Sequence, residues 1–276
     1  MPSIIARPSR RTETSRRSQT CVASKLECAA QAQILAQKRR IPLATKSNIN
    51  GNVAAAPTKI SLPRTLPRPV VGEVEVDSLL DAYPHLAGIP ADYIRDCLPL
   101  SAMRSALQAV EMSVPTSSLP KELEIVMNDM VSAACPAHLF AVYGDASASF
   151  GQRPRLTLFP AHDLVFRMHC TKLPALPTSR SSASSSHAAL PVVLMRLPSP
   201  ETFSLLHSYL YTQQPAALLA SLAPQCKSDM LQLATHANKI HGLWRNACAL
   251  GVVDAPLYDA IDVSWERTIA AMQACS

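Results

Sequence analysis

Both tryptophans of this 276-residue chain fall in its last 33 residues, and each sits on an apolar stripe of helical period. Trp carries the largest apolar surface of any side chain, so a chain with only two of them commits each to a defined environment. Residues 227–249 keep Met230, Leu233, Ala237, Ile240, Trp244, Ala247 and Cys248 along one side. Residues 255–272 place Leu257, Ile261, Trp265, Ile269 and Met272 at spacings of four, four, four and three, the signature of an amphipathic helix. Gly251 suits a helix C-terminal stop and Asp254 suits the next N-cap. The pattern predicts two neighbouring antiparallel helices whose tryptophans meet in one core.

Upstream, the period changes more than once. Residues 70–76 read as a short strand, and Asp77 as the cap of a brief helix ended before Pro84. Residues 90–97 read as a helix. So do residues 101–112, with Ala102, Ala106, Leu107 and Val110 on one side, and residues 121–134, opened by Pro120 and striped by Leu123, Val126, Met127 and Met130. A β-like period then takes over in 138–143, 155–159, 164–168 and 191–197, with a polar turn at 144–151. Residues 178–187 hold six serines and no large apolar side chain, so 178–189 read as a flexible loop. Helices return at 201–211, with Phe203, Leu206 and Leu210 facing inward, and at 215–222. Together these predict an α+β domain over 70–276, helix-dominated, with a small β-sheet.

The charge is lopsided. Residues 1–69 hold thirteen Lys and Arg against two acids, while residues 70–276 hold thirteen against eighteen. The pI of 9.0 therefore belongs to the first 69 residues, and the mildly acidic remainder does not supply the basic patch that direct nucleic-acid binding needs. Residues 1–69 lack hydrophobic periodicity and read as a disordered tail, with a fraying helix at 24–38. Its closing run, Leu62-Pro63-Arg64-Thr65-Leu66-Pro67-Arg68-Pro69, predicts an extended polyproline linker. The clusters Arg10, Arg11, Arg16, Arg17 and Lys38, Arg39, Arg40 have three readings: a solvated tail, a nuclear import signal, or a mitochondrial presequence. The distance of the second cluster from Met1 favours the nucleus, with the cytoplasm as the alternative.

Several chemistries lack their residues. The seven glycines form no GxGxxG, GxxxxGK[ST] or GxSxG pattern, so phosphate cradles and nucleophile elbows are not indicated. The eight cysteines are scattered without a CxxC and read as reduced thiols. No stretch approaches the roughly 18 apolar residues of a membrane span. His236 and His241 are five apart and point about 140° apart on a helix. His169 and Cys170 are adjacent and diverge in a strand. No metal site, cofactor or catalytic residue is predicted. The pair Arg245-Asn246 beside Trp244 has the composition of a partner contact. The competing reading pairs Arg245 with Asp254 or Asp259 and has Asn246 satisfy a helix end.

The segment His241-Gly242-Leu243-Trp244-Arg245-Asn246-Ala247-Cys248-Ala249-Leu250-Gly251-Val252 resembles the C-terminal signature of the Clp1-like (clampless) proteins of basidiomycete fungi. Three further blocks occur in the same order: 143–151, 158–163 and 203–212. The resemblance spans about residues 75–268. It implies a non-enzymatic regulator of sexual development, concerned with clamp-connection formation and dikaryon proliferation, that contacts transcriptional regulators. A second resemblance, carried by 159–165, 197–203 and 209–212, is to BTB/POZ domains, which use a strand, an inward His and a helix ending in a Tyr-Leu-Tyr-type corner. It implies an adaptor recruiting substrates to a cullin-type ubiquitin ligase, with homodimerisation left open. The serine-rich stretch and the late tryptophans depart from that pattern.

Overall fold

Alternation, rather than helical period, organises the middle of the chain. The computed structural model describes residues 62–70, 72–74, 77–112, 118–127, 135–144, 156–177, 187–224 and 229–275. The basic clusters, the expected helix at 24–38, most of the turn at 144–151 and residues 178–186 lie outside them. Short helices α1 (Asp77–Leu80), α2 (Ala91–Asp96) and α3 (Leu100–Gln108) come first. Strands β1 (Val110–Met112), β2 (Glu122–Met127), β3 (His138–Tyr143) and β4 (Thr157–Ala161) follow, then α4 (Asp163–His169) and β5 (His187–Arg196). The chain ends in α5 (Phe203–Thr212), α6 (Pro215–Ser221), α7 (Met230–Leu250) and α8 (Ala255–Ala274). The α+β class expected from the sequence is the class observed.

The five strands form one sheet in the order β1-β2-β5-β3-β4, with β3 and β5 parallel and the other pairs antiparallel. β3, between β5 and β4, is buried on both faces. Phe140 and Val142 enter the main core, and Leu139 enters a second cluster with Ile125, Met127 and Leu190, as the two-residue period of a strand dictates. β5 divides its burial the same way. Ala188 and Leu190 face the second cluster, while Val193 and Met195 face the first. Helices α5, α7 and α8 line the main core with Phe203, Leu206, Ile240, Leu243, Ile261 and Trp265.

Five sequence expectations fail here. In place of the helix expected over 121–134, residues 122–127 form β2, exposing Glu122 and Glu124 while burying Leu123, Ile125 and Met127; residues 128–134 lie outside the described residues. β1 and β5 take up its backbone hydrogen bonds on both sides, and that pairing overrides the helical stripe. β1 for the same reason ends the expected helix 101–112 at Gln108: Val110 pairs opposite Met127. The expected strand at 164–168 is α4, a helix whose Val165, Phe166, Met168 and His169 are all buried. With only Leu164 and Arg167 partly exposed, a helix this short and this covered leaves little period to read. The described part of 70–76 holds no strand, and 187–189, expected as loop, belong to β5.

α4 also carries a titratable cost. His169 is 1% exposed, and neither ring nitrogen has a hydrogen-bond partner. Burial, reinforced by the Arg95 guanidinium, pushes its pKa down to about 4. The imidazole is therefore neutral in the fold, while the unfolded chain takes up a proton near pH 6.5. Its contribution to stability is complete above about pH 6.5 and is lost as pH falls toward about 4. The urea midpoint should accordingly drop between pH 7 and pH 5. His169→Leu should flatten that slope, leaving the share of His207, which burial also lowers to about 4. An unchanged slope in the variant would show that His169 is protonated without penalty.

Candidate protein-contact site

The helical hairpin α7–α8 is fixed at both ends by caps that the sequence supplies. Asp229 accepts hydrogen bonds from Leu231 and Gln232 N–H, and Asp254 accepts from Leu257 N–H. Gly251 ends α7 at φ +62°, where a Cβ would lie 2.3 Å from Thr171 Oγ1, so only glycine fits without strain. The turn is tied to the end of α4 by Thr171 N–H and Lys172 N–H, which donate to Gly251 and Leu250 carbonyls at 3.0 and 2.9 Å.

On its inner side, α7 seats against the 3-10 turn Pro200–Thr202. Asn246 is fully buried. Its Oδ1 accepts Ser199 N–H at 3.0 Å, and its Nδ2 donates to Ser199 O at 2.7 Å and Thr202 Oγ1 at 3.0 Å. The expectation that Asn246 contacts a partner is therefore corrected, because all of its polar capacity is used inside. It anchors the turn before α5 rather than a helix end. Gly242, one helical turn earlier, makes room for the same turn: an added Cβ would lie 2.3 Å from Ser199 Oγ and 3.0 Å from Thr202 Cγ2.

The outer side of the hairpin carries the aromatic groups. Trp265 is 3% exposed and Trp244 is half-buried against the same core cluster, so the two tryptophans share one core as the periodicity predicts. His241 stacks on Trp244 with ring centroids 5.5 Å apart and planes at 18°, and lies 6.2 Å from Trp265. Neither indole N–H is spent on the helices. Trp265 Nε1 donates to Pro63 O and Trp244 Nε1 to Pro67 O, both at 3.1 Å. The acceptors belong to residues 62–69, expected as a free linker. Leu66 of this strap is 5% exposed within the main core. Arg68 bonds Asp259 and Asp262 of α8, the latter at 3.0 Å.

Arg245 stands at the edge of this face. It is exposed and makes no ion pair among the described residues. The expected partners are taken, since Asp259 binds Arg68 while Asp254 caps α8 and accepts the Tyr209 hydroxyl at 3.0 Å. Its charge is felt by His241, whose pKa is lowered by burial first and by Arg245 second. An exposed cation beside a half-buried Trp is the composition found at interface hot spots.

The other polar candidates are used internally. His162 is 4% exposed; its backbone N–H donates to the Tyr211 hydroxyl at 2.9 Å, and its Nδ1 lies 3.0 Å from the same oxygen. His236 Nε2 is 2.7 Å from Leu222 O. Burial pushes the thiols of Cys170 and Cys248 upward, opposite to what a thiolate nucleophile needs. Among the described residues no cluster of three His, Cys, Asp or Glu is placed to hold a metal ion, and no helix is long and apolar enough to cross a membrane. The residues of this candidate face that sequence reasoning missed are those of the strap. A signal was present in them: Leu-Pro-Arg occurs twice, at 62–64 and 66–68, and each proline carbonyl receives one tryptophan.

These features define a helix-capped α+β domain whose polar groups position its own elements and whose aromatic face holds a peptide segment. The chain matches the family models for the Clampless protein 1 N-terminal domain over residues 69–198 and the Clampless protein 1 C-terminal domain over 187–276. It belongs to that family. No curated protein matches it, and no solved structure does.

The two tryptophans should respond differently to truncation. Trp265→Ala should cost about 3–5 kcal/mol in urea denaturation, the range for a buried aromatic, and Trp244→Ala clearly less because part of its ring already meets solvent. Equal losses would mean that Trp244 is as buried as Trp265. Gly242→Ala should destabilise by about 1–3 kcal/mol from overpacking against Ser199 and Thr202, even though Ala gains up to about 1 kcal/mol in helix propensity. A stabilised variant would show that the turn before α5 yields freely.

Proposed function

We propose that this chain is a non-enzymatic regulator of fungal sexual development, acting in clamp-connection formation and dikaryon proliferation through contacts with transcriptional regulators. The observation that carries this reading is the family match, which runs from residue 69 to the C-terminus. The α7–α8 face agrees with it, because it couples aromatic surface, a peptide segment and the exposed charge of Arg245. The reading calls on no metal and no cofactor, and it places direct contact with nucleic acid or membrane outside the chain's role. A homodimer remains compatible with it.

Affinity capture from mating hyphae should recover transcriptional regulators, and their recovery should persist when cullin is depleted. Arg245→Glu should reduce that recovery while leaving the urea midpoint within about 0.5 kcal/mol equivalent, as expected for an exposed position. Substituting Arg10, Arg11, Arg16, Arg17, Lys38, Arg39 and Arg40 by Ala should move a fluorescent fusion from nucleus to cytoplasm. Unchanged nuclear signal would remove import from the role of these residues.

A second reading, a BTB-like adaptor for a cullin-type ligase, is favoured by one contact. β4 leads into the inward His162, and Tyr211 at the end of α5 binds that histidine. Recovery of cullin as the dominant captured protein would support it over the first reading.

A further inference from the structure

The strap is held as a peptide ligand is held. Among the described residues, no backbone–backbone hydrogen bond joins residues 62–69 to the rest of the chain, and six of the eight are exposed. What holds them is two indole donors aimed at the carbonyls of Pro63 and Pro67, one buried leucine, and one arginine on paired aspartates. Aromatic grooves recognise proline-rich segments this way in general. Such segments have little conformational entropy left to lose, and their backbone carbonyls are free of internal hydrogen bonds. The spacing is matched as well: the two acceptor prolines are four residues apart within the repeated Leu-Pro-Arg, and one Trp from each helix meets one proline.

The cis copy fills the groove incompletely. In the second Leu-Pro-Arg, Leu66 is 5% exposed and Arg68 is ion-paired; in the first, Leu62 is 40% exposed and Arg64 is exposed with no ion pair among the described residues. We propose that the Trp244–Trp265 groove of α7–α8 is a recognition site for a proline-rich segment of another protein, of the form Leu-Pro-x-x-Leu-Pro-Arg, and that residues 62–69 are its built-in competitor. The inference rests on the reading of this chain as a protein-contact regulator and names the chemistry of the segment contacted. A second copy of the chain is a poorer occupant. Exchanging straps between copies creates no contact that the closed form lacks, while a short tether keeps the cis strap at an effective concentration of order mM. A different chain gains wherever its first Leu-Pro-Arg half fits better than 62–64.

The chain's only two tryptophans lie in the groove, so intrinsic fluorescence reports occupancy. The test uses the full-length chain, its Arg68→Glu variant, whose substituted side chain is half exposed and cannot disrupt the core, and the Leu66→Asp/Arg68→Glu variant checked for unchanged far-UV circular dichroism. The probe is a synthetic peptide of residues 60–70. Both variants should show red-shifted Trp emission, and added peptide should reverse the shift. The peptide should bind the double variant at least about tenfold more tightly than it binds the wild type, whose own strap competes. Asp259→Lys/Asp262→Lys should weaken peptide binding, and a peptide carrying Arg68→Glu should recover it. The proposal is overturned if neither Arg68→Glu nor the double variant takes up peptide, or if charge reversal is not rescued by the reversed peptide. A strap-exchanged dimer of the wild type, seen by size-exclusion chromatography, would overturn it in favour of a second copy. Recovery of transcriptional regulators in hyphal capture is a separate readout, so losing the groove and losing the regulator reading are told apart.

Discussion

The rotation of α7 about its own axis decides what this domain shows to its surroundings, and one buried amide sets that rotation. Asn246 reads both the N–H and the carbonyl of Ser199 and the hydroxyl of Thr202. Those groups sit in the turn between β5 and α5, so the contact locks the C-terminal helices to the sheet. Three polar partners in a dry site leave no second arrangement of comparable energy, because any slip strands buried donors and acceptors at about 1–3 kcal/mol each. Gly242 brings the helix close enough for the amide to reach. With residues 242 and 246 turned inward, residues 241 and 245 lie on the neighbouring stripe. The His241–Trp244 stack and the exposed Arg245 are therefore consequences of the inner contact.

The same logic explains which elements are legible in the sequence. The C-terminal half is legible because its helices are amphipathic, and Leu257, Ile261, Trp265 and Ile269 announce one buried face and one wet one. The cap at Asp254 and the stop at Gly251 are local chemistry, readable from residue type and position alone. The middle of the chain is less legible because burial there is two-sided. α4 buries five of its seven residues, leaving only Leu164 and Arg167 partly exposed, and β2 carries an apolar set that fits either period until its neighbours are known. β1 is three residues long and exists only because Met127, Val126 and Ile125 lie opposite. No local preference specifies a strand that its partner creates.

For the candidate site, sequence pattern locates the segment but misjudges the roles within it. Arg245 and Asn246 are adjacent, and adjacency invites treating them as a pair. One helical step of about 100° places one in solvent and the other at the centre of the polar clamp. The ion pair expected for Arg245 does not form because a residue far upstream, Arg68, reaches Asp259 instead. Contacts between positions about 190 apart leave no trace in local pattern. The strap reads as a linker on the strength of its prolines, and proline-rich composition is equally that of a ligand.

Tryptophan is suited to a face that is covered at some times and uncovered at others. Its ring belongs in a core, but the indole N–H needs an acceptor wherever it lies. In this chain the carbonyls of Pro63 and Pro67 meet that need from outside the helices. Water can meet it equally when the strap is absent, since the Trp244 contact lies at the exposed edge of the groove. Uncovering the face therefore leaves the Trp244 donor to water, and the covered state is distinguished by Leu66, the Trp265–Pro63 hydrogen bond and the Arg68 ion pairs. Exposed ion pairs contribute little in water, and burying one Leu side chain contributes about 1.5–3 kcal/mol. A difference of that size is small enough for a competing segment to overcome, and large enough to keep the groove covered without one.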